Sequence, residues 1–162
     1  MNEIPELVER FRAGGELVRQ ALEGVSGPEA DFRPGPDAWG VRQLAAHLAD
    51  SEVVAGWRFR RLIADTNPTL EAFNEKLWAA NLAYDRRDHT GNLASFLRLR
   101  EENYQILALL PPEAFERAGT HVERGRVTLR DMVMINVIHA EHHAEQIRRV
   151  RDSFRITTSS KK

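Results

Sequence analysis

Four long stretches of this 162-residue chain repeat their apolar residues at helical spacing, and that periodicity limits the fold more than any other feature. In the first, Leu7, Val8, Phe11, Val18 and Leu22 recur with Glu and Arg between them, which predicts an amphipathic helix of about 20 residues from Ile4. Gly14-Gly15 weakens its middle and Gly27-Pro28 is read as its end. A proline-rich surface connection over residues 31–40 leads to the second helix, Val41–Ala64, whose inward stripe is Val41, Leu44, Leu48, Ala55, Phe59 and Leu62. The third helix is expected over residues 92–110, stopped by Pro111-Pro112. The fourth begins at Leu129 behind Thr128-Leu129-Arg130-Asp131, which has the spacing of a capping box, and is expected to run to about Arg151.

The connections carry weaker signals. Residues 69–81 place Phe73, Leu77 and Trp78 at helical spacing, predicting a short extra helix between the second and third long ones. A long connection carrying Trp78 is suited to lie over a pocket, and equally to patch the core. Residues 84–92 read as a charged turn holding His89, residues 112–117 as one helical turn, and residues 120–127 as a small hairpin or an extended loop. With no convincing sheet, the prediction is an all-α chain, an antiparallel four-helix bundle. One domain over residues 1–152 and a polar C-terminal tail over residues 153–162 complete it.

Composition excludes several functions. A net charge of −1 gives no general field for nucleic acid or an anionic membrane. The chain has no cysteine, so disulfides, thiolate metal sites and a protein thiol nucleophile are excluded. Its first residues are acidic where a secretory signal is basic, and no apolar run reaches the length of a membrane span, which makes the cytoplasm the expected location.

The residues that point to chemistry are histidines. Three of the six fall within Ile138-His-Ala-Glu-His-His-Ala-Glu-Gln-Ile147. His139 and His143 are four apart, so on a helix they stack on one face, near enough to share a metal ion. Such a pair arises easily by chance, and facing carries more weight than spacing. On the helical wheel His143 sits inside the apolar arc and His139 on its edge, while His142 turns toward water. A ring buried without a partner is costly, which leaves metal binding or a hydrogen-bonded structural role. His47 has nearly the same edge position on the second helix, where a single histidine is usually a hydrogen-bonding residue at the margin of the core. Together His47, His139 and His143 would form an open three-histidine face between two helices of a bundle. His121 and His89 are expected in loops, away from it.

The run Asp37-Ala-Trp-Gly-Val-Arg-Gln-Leu-Ala-Ala-His-Leu-Ala-Asp-Ser51, followed by the histidine-rich segment 138–147, resembles the DinB/YfiT-like superfamily. Arg58-Phe-Arg and the stretch from Phe73 to Trp78 look like its YfiT-type branch, so the resemblance spans nearly the whole chain. It implies a four-helix bundle, often a homodimer, with nickel or zinc on three histidines that map to His47, His139 and His143. That branch includes S-transferases using bacillithiol or mycothiol, an isomerase, and members described as candidate metal-dependent hydrolases.

Between His139 and His143 lies Ala-Glu-His, so the His-Glu-x-x-His base of zinc proteases is absent and a peptidase is disfavoured. The expectation is a metal-dependent enzyme in which a divalent ion activates a nucleophile, first a small-molecule thiol for S-transfer, second a water for hydrolysis, with a non-catalytic metal-binding protein as the alternative. Asp50 and Gln146, one turn from ligands, are candidates to support them, although plain helix-surface roles suit both.

Overall fold

The computed structural model describes residues 3–160, which are mostly helical. Four long helices form the body: α1 (Glu3–Leu22), α3 (Val41–Ala64), α5 (His89–Ala108) and α6 (Leu129–Ser159). Two short ones, α2 (Gly27–Asp31) and α4 (Glu75–Asn81), lie in the first two connections. α1 packs on α5 and α6, and α3 packs on the same two, so the bundle is a ring in which α1 lies diagonally from α3 and α5 from α6. Each diagonal step needs chain to cross the end of the bundle. The last uses a 3-10 turn (Pro112–Glu116) and two strands. No helix among the described residues is long and apolar enough to cross a membrane.

The structure corrects the expected absence of a sheet. β1 (Thr69–Leu70) pairs parallel with β2 (Ala118–His121), which pairs antiparallel with β3 (Gly125–Thr128). Residues 120–127 are therefore a hairpin, with Gly125 supplying a φ of 73°. A two-residue strand is too short to show alternation, and β1 was hidden in what read as the start of a helix. That helix, α4, begins only at Glu75, where the Asn74 side chain accepts from the Leu77 amide.

Gly27-Pro28 also reverses its expected role. α1 has already ended at Leu22, and Gly27-Pro28 opens α2, with Ser26 and Glu29 exchanging capping-box bonds. His89 is not in a turn but in the first turn of α5, behind Asp88, which caps the amides of Thr90 and Gly91. α6 runs on through Ser159, so residues 153–159 of the expected tail are helical, while Lys161 and Lys162 lie outside the described residues.

The core has two apolar halves. One is built around Phe11, Phe59, Leu62, Phe115 and Met132, the other around Val18, Leu44, Leu48, Phe96 and Ile147. Between them lies a buried polar layer. Arg100 donates to the Glu52 carboxylate at 2.8 Å, to the Phe11 carbonyl at 2.8 Å and to the Asn136 carbonyl at 3.2 Å, so one guanidinium ties α3, α1 and α6 to α5. Asn103 donates to the other Glu52 oxygen at 2.9 Å and accepts from Arg60. The guanidinium lies 4.0 Å from the Phe11 ring centroid and 5.3 Å from that of Phe96, one ring from each half.

Two mid-helix glycines make this layer possible. A Cβ at Gly14 would meet Arg100 Nη2 at 2.9 Å, and one at Gly56 would meet Asn103 Oδ1 at 2.6 Å. Gly14, which reads in sequence as a weak point in α1, is the space the guanidinium occupies.

Candidate metal centre

α3 and α6 pack side by side, and their histidines meet between them. His47 Nε2 lies 3.0 Å from His139 Nε2 across 92 residues of sequence. With His143 the three rings offer one nitrogen each, all within 4.8 Å of one another. His47 is fully buried and His143 retains 9% exposure. His139 is half-buried at the edge.

The immediate surroundings are aromatic and sparingly polar. The Trp39 ring centroid stands 5.1 Å from that of His47, and the Phe73 ring stacks on His47 at 6.5 Å with Trp78 behind it. Gln146 Oε1 accepts from His143 Nδ1 at 2.8 Å, which leaves Nε2 of that ring free. The Ser51 hydroxyl, one turn after His47, sits at 3.5 Å from both nitrogens of that ring, a marginal contact.

The other candidates separate clearly. His142 is exposed, on the water side as the wheel predicts. Asp50 does not touch the cluster; it accepts from Arg87 at 2.8 Å, and Arg87 also donates to Asn92. His121 is buried in β2 and accepts from the Glu123 amide at 3.2 Å, apart from the other three. Sequence reasoning missed Trp39, Phe73 and Ser51 as neighbours of the site. Ser51 could have been found from its i+4 spacing to His47, whereas the two rings come from connections whose path no periodicity reveals.

The profile of the DinB superfamily matches residues 10–147, a span that holds all three histidines. The chain belongs to the DinB superfamily. Within curated relatives it is similar to YfiT of Bacillus subtilis, named as a candidate metal-dependent hydrolase, at 28% identity over 131 residues, 80% of this chain and 74% of that protein. OB0782 of Oceanobacillus iheyensis, named in the same way, is also 28% identical over 131 residues, 81% of this chain and 76% of its own. The solved structure of Bacillus subtilis YfiT, described as a four-helix bundle of unusual topology, matches with a TM-score of 0.85 over 93% of this chain and 86% of that one. At 24% identity this is a likeness of fold.

In this DinB-superfamily chain burial sets the electrostatics of the cluster. It lowers the pKa of His47 to about 3, with the nearby His143 adding to the effect, and that of His139 to about 2, with His143 and His47 adding. Burial lowers His143 as well, opposed by its bond to Gln146. All three rings are therefore neutral at pH 7, with lone pairs available for an electron-pair acceptor.

The same shifts predict how the metal-free protein responds to pH. Below the ordinary histidine value of 6.5 the unfolded chain takes up protons that the folded chain refuses, so stability is complete above 6.5 and falls as pH drops toward the folded values. In chelator, the urea midpoint is expected to fall between about pH 7 and pH 5, above the range where carboxylates titrate. A midpoint that holds or rises over that interval contradicts the assignment of neutral buried rings.

Proposed function

We propose that His47, His139 and His143 hold a divalent ion, zinc or nickel, and that the protein is a metal-dependent enzyme acting on a small-molecule substrate. The convergence of three neutral imidazole nitrogens within 4.8 Å carries this reading. The donors fit such an ion: Zn–N bonds of about 2.0–2.1 Å place tetrahedral donors about 3.3 Å apart, and the His47–His139 pair is already near that separation at 3.0 Å. When bound on three neutral donors, the ion would keep its full charge and supply Lewis acidity to an anionic partner in its remaining position.

The chain's own residues prepare the site. Gln146 fixes the His143 ring by its Nδ1, and burial keeps all three rings unprotonated. The Trp39 and Phe73 rings shield His47 from water. No carboxylate joins the cluster among the described residues. A thiol, with a pKa of about 8.5, needs far less help than water to become a nucleophile.

The reading that follows is S-transfer from a small-molecule thiol of the bacillithiol type to an electrophile. The thiol proton passes to solvent, sulfur forms the bond to the electrophilic carbon, and the leaving group departs with its electron pair. Hydrolysis is the second reading, favoured by the names of the curated relatives. The test offers a model electrophile to metal-loaded protein with and without bacillithiol or another low-molecular-weight thiol, against His139→Ala. Metal-dependent turnover that needs the thiol supports S-transfer. Turnover indifferent to every thiol supports hydrolysis, and no turnover with any partner supports a non-catalytic metal-binding role. The assembly proposed is a homodimer, and light scattering that gives a monomer at micromolar concentration overturns it.

A further inference from the structure

One segment covers the histidines without contributing to the bundle core. α4 buries none of its residues, and its Leu77 is 57% exposed. Yet Phe73, just before it, and Trp78, in its middle, pack ring to ring at 4.7 Å, with Phe73 stacked on His47. The opposite face of α4 is open. Lys76, Ala79 and Ala80 fall together on the side away from Trp78, and with Trp39 and charged side chains that include Arg33, Asp37 and Arg86 they line a cleft of about 820 Å³.

None of the three histidines lines that cleft. α4 and Trp39 therefore stand between the cleft and the cluster, and Trp39 borders both. Directly after the segment Ala83 takes the left-handed backbone region, at a φ of 48°, while before it β1 is pinned to the sheet, with the Val122 amide donating to the Leu70 carbonyl at 3.1 Å.

We propose that residues 71–82 form a displaceable aromatic wall, and that Phe73 and Trp78, with Trp39, bind the flat apolar arm of a ligand whose head reaches the histidines. This rests on the metal reading above and adds a substrate class to it: a metal-seeking head carried on an aromatic or broad apolar arm. An arm arriving from the cleft replaces the Phe73–Trp78 stack with stacking on itself. α4 gives way readily because it has no buried side chain to expose.

The experiment titrates zinc-loaded protein by calorimetry with acetohydroxamate and benzohydroxamate. These probes share a metal-binding head and differ by a phenyl arm, and each is corrected for its affinity for free zinc. Benzohydroxamate is expected to bind at least about tenfold more tightly, and Trp78→Ala and Phe73→Leu each to reduce that ratio to about twofold with zinc stoichiometry unchanged. Trp57→Phe, on the 60% exposed outer face of α3, keeps the wild-type ratio. Equal affinities in the wild type, or a ratio that survives both substitutions, overturns the wall while leaving the metal reading intact. Failure of the wild type to bind zinc overturns the metal reading and this one with it, and stoichiometry separates the two failures.

Discussion

Alanine at His139, His47 or His143 is expected to abolish stoichiometric metal binding, while His142→Ala retains it. Zinc-type sites need at least three protein ligands, and the chain offers three converging imidazoles, which no fourth donor joins among the described residues. Structural zinc sites gain roughly 10–16 kcal/mol from their whole ligand set, so removing one of three donors is expected to weaken affinity by about a thousandfold or more. Gln146→Leu keeps every ligand but frees the His143 ring to turn, and its expected cost is smaller, about 10- to 100-fold. Metal analysis of tag-free protein, followed by chelator competition, measures both. Loss of metal in His142→Ala with retention in His143→Ala contradicts the assignment.

The second large effect lies away from the histidines. Arg100→Met is expected to destabilise the fold by about 3–5 kcal/mol, the range for removing one partner of a buried ion pair. The Arg100 and Glu52 side chains are only 4% and 2% exposed. Burial pushes the guanidinium down and the carboxyl up, each opposed by its partner. Without Arg100 the Glu52 carboxyl is left with Asn103, and the Phe11 and Asn136 carbonyls lose a donor. Arg98→Met breaks a pair whose side chains are 78% and 43% exposed, and is expected to cost under about 1 kcal/mol. Urea denaturation compares the two variants. If Arg100→Met falls within about 1 kcal/mol of wild type, the polar layer is not a determinant of stability.

The four long helices were legible because each buries a wide stripe, and a stripe repeats. Their ends were legible only where the cap lies inside the pattern. α6 starts where Thr128 and Asp131 cap it, and α3 spans Val41–Ala64, the range its apolar stripe predicts. α5 starts before the residues that read as its beginning, since Gly91 and Asn92 look like a turn until Asp88 is seen holding the amides. The end of α6 was obscured by Ser153, Thr157, Thr158 and Ser160, residues that favour caps and turns; here their hydroxyls donate to carbonyls one turn back along the helix instead.

The histidines were legible because an imidazole on an apolar face needs a reason to be there. The Arg100 layer was not, because a buried charge resembles an exposed one until its partners on three other helices are known. The aromatic cover was half legible. The connection holding Trp78 was marked as one that could lie over a pocket, but the ring of Phe73 on His47 depends on the path of a segment with no repeating pattern.

The ring of helices also fixes an order of events during synthesis. α1 is made before α3, yet the diagonal arrangement gives it only a narrow contact there, the Phe11 ring against that of Phe59 at 5.7 Å; its main partners are α5 and α6. Until α5 and α6 are made, most of the apolar face of α1 lacks the surface that covers it in the native fold. α6 emerges last and brings both the second partner of α1 and two of the three histidines. α6 must therefore be made before the core can close, and the slow search is for contacts between helices far apart in sequence.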